Sequence, residues 1–292
     1  MRRTLLLALF PWLLGAADLK IDHVTAAGTD LKAMQAKLAA IGIRSYFGGP
    51  HSNHATQMAL TSFPDGSYLE LIALQDQPDP QAVAAHYWSP YMRKNAGPAA
   101  WAVRVPDVPA EAARLRGAGV EVTPPSRSGR ERPDGVRLDW ETANVGPGPN
   151  GTFFPFIIRD FTPRETRAFP QGKPTNADFS GITKVVIAVR DLDAAVARFR
   201  KAYGFGAPEL QADTAFRARL AYFKGTPVVL ATAAGSGSWI AQRLDEFSEG
   251  PCAFVLKAVN PKAYKAASKS AWFGTQVSWF DADALGWHLG FE

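Results

Sequence analysis

Apolar residues fall in short strand-like runs, each followed by a segment with helical spacing, and this alternation returns four times along the chain. The first unit has an apolar run at 21–26, the turn Thr29-Asp30-Leu31, and a predicted helix to about Ile41. The second has 99–105, Pro106-Asp107-Val108, and a helix through Ala112, Leu115 and Ala118. The third has 182–189, Arg190-Asp191-Leu192, and a helix through Ala195, Phe199 and Tyr203. The fourth is weaker, with 253–259, Asn260-Pro261, then Tyr264 and Ala267. Thr29, Asp30 and Asp107 suit helix starts, because a side-chain oxygen can accept from the free amides of the first turn. Gly42, Gly119 and Gly204 follow the last apolar residues, where a left-handed stop favours glycine.

Further strand-like runs follow each helix. They lie at 55–63, 68–74, 135–142, 153–158, 216–224, 227–233, 276–281 and 285–291. One strand, one helix and about three strands make a βαβββ module, and two modules side by side make a curved eight-stranded sheet with helices outside. The predicted fold is therefore α+β, with tandem βαβββ modules forming two domains. The stretch 164–178 holds two prolines and no periodicity, and is predicted to be the linker between a domain at 18–163 and another at 179–292.

The N-terminus reads differently. Arg2 and Arg3 precede an apolar run at 5–14 and the small residues Gly15-Ala16-Ala17, the layout of a secretory signal peptide (1–17). Cleavage after Ala17 is expected, giving a periplasmic or secreted protein. The run is too short to span a bilayer comfortably, so no membrane span is expected in the mature chain. At 292 residues, 47% of them hydrophobic and 20% charged, the chain suits two globular domains. A net charge of +5 without a basic helix or long basic run argues against nucleic acid as a partner. The single Cys252 excludes an intramolecular disulfide and a thiolate zinc site, and its apolar surroundings in sequence read as packing.

Candidate chemistry centres on two strands. Side chains alternate between strand faces, so Ile21, His23 and Thr25 are expected on one face, and Tyr68, Glu70 and Ile72 on the matching face of 68–74. The helix should cover the opposite, apolar faces (Val24 and Ala26; Leu69, Leu71 and Ala73), which turns His23 and Glu70 into a concave cup. A buried carboxylate without a partner costs roughly several kcal/mol. Glu70 therefore needs a metal, a histidine, an arginine or bound water. The pair reads as a divalent-metal site, as a metal-free acid/base or substrate-binding pair, or as a structural hydrogen bond. A metal needs a third protein donor, and His51 and His54 are the available imidazoles, His54 being the candidate taken. Near the turn Pro133-Asp134-Gly135, Arg130, Arg132 and Arg137 form a basic cluster. Arg132 is the candidate clamp for an anion, with Trp140 and Tyr68 as walls, although a solvated hairpin fits the same pattern. The aromatic run 86–91 lies either at the mouth of the cup or over the end of the sheet. Glycines at 146, 148 and 151 have dinucleotide-loop spacing, but a strand follows them and prolines remove donors, so they read as a turn-rich loop.

Residues Ile21-Asp22-His23-Val24 and 68–72, Arg132-Pro133-Asp134-Gly135 with Trp140, and Pro155-Phe156-Ile157-Ile158 resemble the glyoxalase-like domain of the vicinal oxygen chelate superfamily, over about 19–163. The later half is similar through the repeat and through Trp279-Phe280-Asp281 and 285–292. The resemblance implies paired βαβββ modules around a divalent metal. It also implies a range of activities: lyases, isomerases, epimerases, ring-cleaving dioxygenases and metal-free drug-binding proteins. Its ligand positions, on the first and last strand of each module, correspond to His23 and Glu70, then Ala100 and Phe156, with Lys184 in the third module. The expectation is a divalent-metal-dependent lyase, isomerase or oxygenase acting on a small molecule, with His23 and Glu70 as catalytic and metal-binding residues. The alternative is a non-catalytic protein that binds or sequesters a small molecule.

Overall fold

The first sheet of the computed structural model contains β1 (Lys20–Ala27), β2 (Tyr46–Pro50), β3 (Thr56–Ser62), β4 (Tyr68–Leu74), β5 (Gly97–Arg104), β6 (Ser126–Glu131), β7 (Arg137–Ala143) and β8 (Phe156–Asp160). The second contains β9 (Phe179–Ala188), β10 (Glu209–Asp213), β11 (Ala218–Tyr222), β12 (Val228–Ala233), β13 (Gly250–Ala258), β14 (Ser268–Trp272), β15 (Thr275–Trp279) and β16 (His288–Phe291). Strand order is β2-β3-β4-β1-β5-β8-β7-β6 in one and β10-β11-β12-β9-β13-β16-β15-β14 in the other, the same topology twice. The expected two-domain α+β fold of paired modules is thus present. The structure describes residues 17–292, so the predicted signal peptide lies outside the described residues except for Ala17.

Local chemistry sets the helices as expected. Asp30, Asp107 and Asp191 each accept from a backbone amide of the first turn, at Ala33, Ala110 and Ala194. The fourth module departs from the pattern: where a helix near 264–267 is expected, there is only a 3-10 turn, Pro261–Ala263. Two apolar positions are too few to hold a helix on a sheet.

A register shift between β1 and β5 at Ile21/His23 changes one expectation. Ile21 does not share a face with His23. It packs with Val24 and Ala26 in the helix-side core, while Asp22 and His23 are both buried and bonded to each other. A bulge does this by letting consecutive residues break the two-residue alternation.

The helix-bearing faces of the two sheets share one core. Trp101 and Val103 of β5 pack in the same cluster as Phe254 and Leu256 of β13, with Leu38, Leu115 and Phe199 added from three helices. Polar links reinforce this: Arg243 donates to the carbonyls of Ala96 and Pro98, and the Tyr91 hydroxyl to that of Phe247 at 3.0 Å.

The other faces form two cups. In the second, Phe216, Trp272 and Trp279 fill the space together with Ile240 and Leu244 from the helix Trp239–Phe247. In the first, the helices Pro80–Ala85 and Ser89–Arg93 occupy the corresponding connection but fill only part of the cup, with Trp88, Tyr91 and Met92 against Ala99, Ala100 and Phe156. The predicted linker is no loose tether: its first residues form the short helix Arg164–Ala168, which packs Ala168 against Met58, Leu60 and Tyr68.

Candidate functional site in the first cup

The unfilled part of the first cup is a cavity of about 210 Å³. His23, Tyr68 and Glu70 line it from β1 and β4, Arg130 and Trp140 from β6 and β7, and His51 from the loop after β2. Parallel pairing of β1 and β4 places His23 beside Tyr68 and Thr25 beside Glu70. The His23 and Tyr68 rings stack with centroids 4.8 Å apart. The Thr25 hydroxyl donates to Glu70 Oε2 at 2.9 Å.

Two imidazoles approach the Glu70 carboxylate from different sides. His23 Nε2 stands 4.0 Å from Oε2, and His51 Nε2 stands 3.7 Å from Oε1. The other ring nitrogens have partners: His23 Nδ1 lies 2.5 Å from Asp22 Oδ1, and His51 Nδ1 lies 2.8 Å from Thr56 Oγ1. Burial pushes the His51 pKa down to about 4; Glu70 opposes the shift and Arg130 adds to it. His51 is therefore neutral near pH 7, with one ring nitrogen a donor and the other an acceptor.

Behind His23 lies a buried ion cluster. Asp22 is fully buried and pairs with Arg164 at 2.5 Å and Arg167 at 2.9 Å. Asp160 pairs with the same two arginines, at 3.3 and 2.5 Å. Burial alone would raise the Asp22 pKa, but Arg167, Arg164 and His23 outweigh it and hold the carboxyl well below the usual range. Arg167 also donates to the Tyr68 hydroxyl at 2.6 Å. The cluster fixes both the ring plane and the Nδ1 partner of His23.

Of the residues expected at the site, His23, Glu70, Tyr68 and Trp140 meet in this cavity. His54 does not. It is exposed with a left-handed backbone (φ 56°), and His51 takes the position expected of it. Arg132 also lies outside the lining. β6 ends at Glu131, so strand alternation does not extend to residue 132, and its guanidinium binds the carbonyls of Thr166 and Pro170 and the carboxylate of Asp134. Arg130, inside the strand, reaches the cavity instead. Of the aromatic run, His86 and Tyr87 line the mouth while Tyr91 is packed in the core. Arg167 came from a segment with no strand or helix pattern and could not be placed by periodicity.

The donor chemistry fits a divalent ion: two imidazole nitrogens with their ring partners turned away, and one carboxylate. The second module adds nothing to it, since Ala100 is core and Phe156 packs edge-on against His23. Among the described residues no three His, Cys, Asp or Glu side chains already surround a metal-sized point. Nor is any helix among them long and apolar enough to cross a membrane.

Solved structures similar to this chain share its fold. A hypothetical protein from Staphylococcus aureus aligns with a TM-score of 0.65 at 16% identity, over 94% of this chain and 99% of its own. A variant of 4-hydroxymandelate synthase from Streptomyces coelicolor aligns with a TM-score of 0.54 at 12% identity, over 83% of this chain and 72% of its own. No curated protein matches the sequence. The sequence pattern of the glyoxalase-like domain matches residues 21–201, more than half of the chain and past the predicted linker into the second domain. With the repeated βαβββ topology, this places the chain in the glyoxalase-like domain family of the vicinal oxygen chelate superfamily.

Proposed function

We propose that the first cup is the active site of a divalent-metal-dependent lyase, isomerase or oxygenase acting on a small molecule, with His23, His51 and Glu70 as the protein donors. The observation that carries this reading is the placement of two imidazole Nε2 atoms at 4.0 and 3.7 Å from one buried carboxylate, each with its Nδ1 occupied elsewhere. A bound ion would polarise substrate oxygens and acidify their neighbouring protons. The chain's own residues do the rest. Asp22 holds the His23 ring in place, the Trp140 and Phe156 rings shield the substrate from water, and Glu70, the carboxylate that faces both Nε2 atoms, accepts the proton.

Metal analysis after reconstitution tests the proposal. About one divalent ion per chain is expected, lost in His23→Ala and in His51→Ala and kept in His54→Ala. Absence of stoichiometric metal from the wild-type chain would overturn it. A second reading then stands: a metal-free Asp22–His23 acid/base pair, or binding without turnover, favoured by the short Asp22–His23 contact and the lack of a closed trio of ligands among the described residues. We also propose export, on the strength of residues 2–17. Protein recovered outside the cytoplasm should begin at Asp18.

A further inference from the structure

We propose that Arg130 is the anion-binding residue of the first cup, and that the ligand is a small monoanionic carboxylic acid whose apolar part lies against Trp140 and Phe156. The inference builds on the small-molecule reading of this cavity, but it does not require that a metal binds.

The charge inventory of the cup leads to it. Asp22 and Asp160 are matched by Arg164 and Arg167, and these four groups form one closed cluster. Arg130 stands apart from that balance. Its residue exposure is 6%, yet among the described residues no carboxylate oxygen lies within 4 Å of its guanidinium. Its one hydrogen bond goes to the carbonyl of Gly48. Its Nε and Nη2 have no hydrogen-bond partner in the protein, and the residue lines the cavity. A buried cation with no carboxylate in contact is costly to hold. A planar fork with free donors suits a planar carboxylate, which it can bind through parallel hydrogen bonds.

The strand pairing places an apolar wall next to this cation. Arg130 pairs with Leu138 across the β6–β7 ladder, and Trp140 lies two residues further along β7 on the lining face. Phe156, Ile72 and Ile158 continue the apolar lining. Glu70 lies in the same cavity and offsets Arg130 without touching it, so each further negative charge on a ligand is repelled: a monoanion can pair with the guanidinium at contact distance, whereas a dianionic phosphate meets about twice the repulsion from Glu70. The volume of about 210 Å³ is below the range of drug-sized pockets, which restricts the ligand to a small acid.

The test uses the full mature chain and follows tryptophan fluorescence and calorimetric heat with benzoate, its uncharged isostere benzamide, and phenyl phosphate. Benzoate should bind at least about tenfold more tightly than benzamide, a difference of about 1.4 kcal/mol. It should also bind more tightly than phenyl phosphate. Arg130→Gln should abolish the preference for benzoate over benzamide, while Arg132→Gln, outside the cavity, should keep it. Arg130→Lys, which keeps the charge and loses the fork, should retain part of it, and this variant carries the test if Arg130→Gln does not fold. Equal binding of benzoate and benzamide, no binding of either, a preference for phenyl phosphate, or an unchanged preference in a folded Arg130 variant would overturn the assignment. Chelator treatment of the wild-type chain separates the two proposals: the metal-free protein should keep the benzoate preference, so a failed metal assay leaves this inference standing.

Discussion

Asp22 contributes most to the geometry around His23, because it touches the ring nitrogen and both arginines behind it. Asp22→Asn keeps the shape and removes the charge, leaving two buried cations to share Asp160. Breaking a buried pair of this kind costs about 3–5 kcal/mol. Denaturant titration should show a loss of that size, whereas an unchanged midpoint would mean that solvent already compensates the cluster. The depressed Asp22 pKa gives the acid dependence its sign. Its stabilising contribution is complete above the unfolded value of 3.8 and is lost as pH falls below it toward the folded value. The sequence made His23, Glu70, Tyr68 and Trp140 legible because they sit inside regular strands, where alternation assigns a face. Arg132 and His54 were misplaced because they lie just outside strand ends, where alternation says nothing. Asp22 was hidden by the bulge, and Arg167 by the absence of any pattern around it.

At the scale of elements, the strands missed in the sequence have a common place. β2, β6, β10 and β14 are the four outer strands of the two sheets. Their residues are mostly polar or exposed, so they carry no apolar run to find. The buried inner strands β1, β4, β5, β9 and β13 were readable for the opposite reason. The start of β5 is a tight element junction. Gly97 has φ +63°, and an added Cβ would stand 2.4 Å from the Trp287 Cβ of the second domain. Gly97→Ala should therefore strain the backbone and press the domains apart, costing about 1–3 kcal/mol or more. A melting temperature equal to the wild type would mean that the interface yields freely there.

Across the whole molecule, one apolar cluster spans both domains, so the helix-side core of each sheet is completed by the other. Heating should give a single calorimetric transition rather than two. Cys252 reports on it from inside the second cup, where burial pushes its thiol pKa up to about 12. A thiol reagent at neutral pH should label it only as the whole chain unfolds. Labelling well below the melting transition would show that the second cup opens independently. The doubled fold was visible in the sequence repeat, but the shared core was not, because a repeat pattern shows what each module contains and not which faces meet.

Arg164 and Arg167 lie after the point where the repeat pattern marks the first domain as finished. A fragment cut at residue 163 would keep the histidine and the glutamate but lack the two guanidiniums that neutralise the aspartate behind them. Shortening the protein to residues before 164 would thus dismantle the cup from the rear, and only the longer polypeptide has a complete first domain.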